Sequence, residues 1–122
     1  MKKIKVDVYG QEIMVFKSTD DMQRWIKKNP VHEEECFDEF HHAAGFAGIL
    51  MMEDGSGRFF MCIQDGDVIT VCHEALHLAY QMLHAVGVEH DVENHEALAY
   101  LQHYIFGEAA KSLGLMTELS AE

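Results

Sequence analysis

The chain has 122 residues, 48% of them apolar and 25% charged, enough for one hydrophobic core without disulfide staples. Its formal net charge of -12 argues against a nucleic-acid binder, whose phosphate contacts need clustered Lys and Arg. Three cysteines, Cys36, Cys62 and Cys72, form no Cys-x-x-Cys, which excludes a cysteine-rich zinc finger and disfavours a disulfide framework. The first ten residues, MKKIKVDVYG, alternate apolar and charged side chains and lack the apolar run of a signal peptide. The longest weakly charged stretch, Val68 to Val88, holds His73, His77, His84, Glu74 and Gln81 and does not suit a membrane span. These features predict a reduced, cytoplasmic protein with no membrane contact.

In chain order, Ile4, Val6 and Val8 alternate with Lys5, Asp7 and Tyr9 before a turn at Gly10 and a second apolar run, the pattern of a β-hairpin with one buried face. Ser18 and Asp21 are spaced as a capping box for a short helix carrying Met22, Trp25 and Ile26, which Asn29-Pro30 stops. The stretch VHEEECFDEFHH, from Val31 to His42, is equally readable as a helix or as an ordered loop. The runs FAGILMM and RFFMCIQ flank EDGSG and predict two strands joined by a tight glycine turn, apolar on successive residues and so buried on both faces. A long helix follows from Val68 to about Val86, closed by Gly87, and a final helix from Val92 to about Leu113, capped by Asp91 and ended by Gly114. No repeat, linker or low-complexity segment divides residues 1–122, so the expectation is a single α+β domain.

The long helix contains VCHEALH, in which His73 and His77 lie four apart with Glu74 directly after the first. With nine histidines in the chain, that spacing is a hypothesis that only its context can support. Residues four apart share a helix face, so both imidazoles can reach one ion. Glu74, about 100° around the helix, is placed to take a proton from a water on that ion, as a general base does. It is also the only Asp, Glu, Lys or Arg between Asp67 and Glu89, so it is expected to be buried, where an unpaired charge is costly and a nearby dication would offset it.

A zinc site needs a third protein donor. The final helix offers NHEALAYLQHY, in which Glu96 shares a row with Val92, Ala99, Tyr100, His103 and Gly107, small residues there allowing close helix approach. Glu93 and Glu96 can also be read as acids favourable to a helix start. His95 would make an all-histidine site instead. It points about 100° away from Glu96, so a regular helix lets only one of the two face the pair.

HEALH followed by EALAY resembles gluzincin-type zinc metallopeptidases, and most of all their minimal forms, the ImmA/IrrE-like and small phage-borne peptidases. The likeness covers Val71 to about Tyr104. It implies a small zincin-like domain, with N-terminal antiparallel strands followed by two packed active-site helices. It implies zinc as cofactor, His73, His77 and Glu96 as ligands, and Glu74 as base and proton shuttle. A peptide or protein would be the substrate, pairing with an edge strand of the upstream sheet. Where related peptidases often have Asp or Asn four residues after the ligand glutamate, this chain has Tyr100, which could donate to a developing oxyanion; His103 is the other candidate. The alternative is a zinc-stabilised interaction module that kept the fold without the activity. His32, His41, His42 and His90 read as surface or loop residues, and Tyr80, Met82 and Leu83 as core.

Overall fold

The computed structural model describes residues 1–32, 43–89, 91–93 and 95–116. Strand β1 (Lys2–Val6) leads through a 3-10 turn over Asp7–Tyr9 into β2 (Gln11–Phe16), and α1 (Thr19–Lys27) follows. Then come β3 (Gly45–Met51), β4 (Gly57–Ile63), α2 (Val68–Ala85) and α3 (Glu96–Ser112). The result is a small α+β unit with a four-stranded sheet and three helices. Among the described residues no helix is long and apolar enough to cross a membrane.

The sheet order is β1-β2-β4-β3. The expected hairpins form, β1 with β2 and β3 with β4, both antiparallel. The sheet as a whole is mixed, because β2 and β4 pair in parallel, Ile13 opposite Phe59 and Phe16 opposite Cys62. That pairing puts the two most buried strands at the centre, with α1 against one face and α2 and α3 against the other. Alternation along β2 divides the core: Met14 and Phe16 join Met22 of α1 with Phe46, Leu50, Phe60 and Cys62. Ile13 and Val15 join Ile4, Val6, Met61 and Ile63 against α2 and α3.

Burial on both faces holds for Phe60 to Ile63 of β4 and fails for β3, whose Ile49 and Met51 are exposed. The reason is position: β4 is central and β3 is an edge strand, a distinction that composition does not carry. Val31 forms an isolated bridge with Met52 beside β3, and the rest of the ambiguous stretch, residues 33–42, lies outside the described residues.

Caps fix the helices. Ser18 accepts from the Asp21 N–H at 3.0 Å, half of the expected box, while the Asp21 carboxylate accepts from Lys17 N–H at 3.3 Å. Asp67 caps α2 by accepting from Ile69 N–H at 2.9 Å. At the other end, Gly87 takes φ 78°, with its N–H donating to His84 O and the Val88 N–H to Leu83 O. This paired arrangement satisfies two orphan carbonyls, and Gly114 repeats it after α3 with Lys111 O and Ala110 O.

The start of α3 differs from the expectation. It begins at Glu96, not Val92, and its N-cap is His95, with no side-chain cap bond. Asp91 instead accepts from Glu93 N–H at 2.9 Å, closing a local Asx turn. The same side chain that could cap a helix at Val92 stabilises a competing turn, and the helix starts later.

Candidate metal centre

Helix α2 presents two sides. Val71, Glu74, Ala75, Leu78, Ala79, Met82 and Leu83 are buried, while Cys72, His73, Leu76, His77 and Tyr80 are exposed. Tyr80 is thus a surface residue rather than the core residue its spacing predicts, whereas Met82 and Leu83 are core as expected. The N-terminal end of α2 is held close to the edge strand. Thr70 donates its hydroxyl to Asp65 at 2.6 Å, and a Cβ placed on Gly45 of β3 would lie 2.7 Å from the Thr70 methyl. Only a glycine at 45 lets β3 approach α2 this closely, one turn before His73.

The Nε2 atoms of His73 and His77 lie 3.2 Å apart, and the ring centroids 4.9 Å apart at 71°. With one ring as donor and the other as acceptor, that separation is a hydrogen bond. The same separation suits a shared ion. At Zn–N distances of 2.0–2.1 Å, nitrogens 3.2 Å apart subtend roughly 100–106° at the metal, close to the tetrahedral angle. The separation of the two nitrogens is therefore compatible with a tetrahedral zinc.

Glu74 is 6% exposed, one of two buried polar or charged side chains among the described residues, as its isolation in the sequence predicts. Its Oε2 lies 4.0 Å from His73 Nε2. Burial pushes its carboxyl above the ordinary value of 4.5, and the two histidines pull it partly back. A carboxyl that holds its proton more readily, one contact from two imidazole nitrogens, is equipped to take up and release protons.

The residue expected as third donor stands differently. Glu96 is the first residue of α3, its side chain 70% exposed and its Oε1 3.9 Å from His95 Nδ1. The cost of burying an unpaired carboxylate therefore does not apply to it, and its place in the first turn is one the helix dipole favours. Ala99 and Tyr100 on its row are exposed, and a Cβ on Gly107 would meet nothing within 4 Å. The row is thus not the close helix contact that its small residues suggest. That contact runs through Leu101, Ile105, Ala109 and Ala110, which pack into the core with Ala75, Leu78 and Ala79 of α2. Among the described residues, no three His, Cys, Asp or Glu side chains cluster closely enough to hold an ion.

Gln102, a residue the sequence reading did not single out, ties α3 to α2 beside His73. Its Nε2 donates to the Cys72 carbonyl at 3.3 Å and lies 3.7 Å from the Cys72 sulfur. Tyr100 sits about 160° around α3 from Gln102, so it faces away from this contact with α2. It lines instead a groove with the 3-10 turn of the hairpin. His103 is exposed about 100° from Gln102. His32, His73, His77, His84, His95 and His103 are all on the surface, while His41, His42 and His90 lie outside the described residues. Cys62 is buried, with its thiol pushed up to about 12 by burial, and Cys72 is exposed; both are free.

No family model, curated protein or solved structure matches the chain.

Proposed function

We propose that this chain is a cytoplasmic zinc-dependent peptidase whose centre is built on α2, with His73 and His77 holding the ion and Glu74 serving as general base. The observation that carries the reading is the pair of Nε2 atoms 3.2 Å apart, with a buried carboxylate 4.0 Å from one of them. Zinc, when bound, supplies a Lewis acid that polarises a carbonyl. Glu74 accepts the proton of the attacking water as the new C–O bond forms. It returns that proton to the amine nitrogen as the C–N bond breaks, and its burial, which favours the protonated carboxyl, suits this carrier role. Glu96 is the third donor that the gluzincin resemblance nominates, with His103 as oxyanion donor.

The test is hydrolysis of a broad peptide panel by metal-loaded protein, with and without chelator. Glu74→Gln should retain one zinc per chain while turnover falls about 10²–10⁴-fold, the usual contribution of a general base. Unchanged hydrolysis by that variant would remove Glu74 from the mechanism.

A second reading, a zinc-binding interaction module without catalysis, is favoured by the exposed position of Glu96 at the start of α3, where helix electrostatics alone account for it. A zinc titration separates the two. If Glu96 is a ligand, Glu96→Ala loses most of the affinity while His95→Ala keeps it. Equal affinity for Glu96→Ala and wild type supports the second reading.

A further inference from the structure

The hairpin turn and α3 together form a feature that the metal centre does not use. Val6 ends β1, the 3-10 turn over Asp7–Tyr9 follows, and Gly10 at φ 62° returns the chain into β2. This turn stands over one flank of α3 and leaves a groove of about 530 Å³, within the 300–1,000 Å³ range of small-molecule sites. Val6 and Leu101, both buried, belong to its apolar lining. Tyr9 comes from the turn, and Tyr100 and Tyr104 come from α3, one helical turn apart. The Tyr104 hydroxyl donates to the Lys5 carbonyl of β1, the outer strand of the described sheet, at 2.7 Å, which fixes the orientation of that ring.

The groove has a sign. Asp7 lines it, and among the described residues lining it there is no Lys, Arg, His or Glu. Burial first, then the nearby carboxylates of Glu108 and Asp7, push the Tyr104 phenol above its ordinary value, and the two carboxylates are the groups that give the groove its negative sign. The whole chain, at a net charge of -12, adds to that potential. Tyr100 is 72% exposed at the rim and Val8 87%, so two large apolar side chains stand in water beside an open cavity.

We propose that this groove is a binding site for an organic cation with an apolar body, an alkyl- or aryl-ammonium, whose charge sits near Asp7 and against the tyrosine rings. Tyrosine faces carry a negative quadrupole that attracts ammonium groups, and the apolar floor suits the body of such a ligand. An anion would be repelled by Asp7. A neutral apolar ligand would leave the carboxylate facing uncompensated surface and would gain nothing from the negative potential. The site is separate from the histidine pair, and the proposal does not depend on zinc.

The test is a titration of metal-free protein with benzyltrimethylammonium, followed by backbone amide NMR, with benzyl alcohol as the neutral comparator. Saturable shifts confined to residues 6–9 and 97–104 are expected, weakening as salt is added. Asp7→Asn, an isosteric change that leaves the backbone bond from Gly10 N–H to Asp7 O available, should weaken the cation about two- to fivefold and leave the neutral comparator unmoved. Tyr100→Ala, at a side chain 72% exposed, should weaken it about three- to thirtyfold. The melting temperatures of both variants establish that they are folded. Benzyl alcohol binding as tightly as the cation, affinity indifferent to Asp7→Asn, shifts centred on the exposed face of α2, or no saturation at millimolar cation would each overturn the assignment.

Discussion

Glu74 is the residue at which stability and proposed function pull in opposite directions. α2 places it inside, with no Lys or Arg within its own helix, and the imidazoles of His73 and His77 are the groups that offset its charge. Because the folded carboxyl titrates above 4.5, the folded state binds more protons than the unfolded state between that value and the raised one. Stability therefore falls as pH rises through this window, and the full cost is present above it. Glu74→Gln removes the cost, so the metal-free variant should be more stable than wild type at neutral pH, with the difference vanishing below pH 4.5. Denaturant unfolding at the two pH values measures this. A variant equally stable or less stable at neutral pH would show that the carboxylate is satisfied in a way that burial and the two histidines do not account for.

At the scale of the element, the C-terminal helix ends and the two hairpins were legible, and the pairing of one hairpin with the other was not. Gly87 and Gly114 mark the ends of α2 and α3 because each occupies a left-handed position, which costs an L-residue about 1–2 kcal/mol. Gly107 stands in the interior of α3 with open space around its Cβ position, so its glycine brings only flexibility. Two substitutions of the same type should consequently differ in sign. Gly87→Ala is expected to destabilise by about 1 kcal/mol, whereas Gly107→Ala is expected to stabilise by about 0.5–1 kcal/mol. Urea midpoints for the two variants check this, and a loss at Gly107 would mean that α3 packs more tightly there than its open surroundings allow. The start of α3 was misread because Asp91 serves equally well in a cap and in an Asx turn, and only the energetics of the whole connection choose between them. The parallel pairing of β2 with β4 was hidden for a related reason: alternation reports which face of a strand is buried, not which strand lies beside it.

Across the whole molecule, a central sheet separates α1 from the α2–α3 pair, with the histidine pair on α2 and the groove lined by α3 and the hairpin turn. The histidine pair and the buried glutamate were readable from spacing and charge isolation, because helical geometry fixes which residues four apart can meet. The bond from Gln102 to Cys72 and the departure of Tyr100 to the hairpin groove were not readable, since both follow from how α3 crosses its neighbours. If His73 and His77 form the proposed metal centre, a competitive zinc titration against a chromophoric chelator reads it directly. Wild type should bind one zinc per chain, and His77→Ala should lose more than about a hundredfold in affinity, beyond the 10–100-fold typical of residues that only support a ligand. Zinc binding of the same strength in the variant, or none in the wild type, would contradict it.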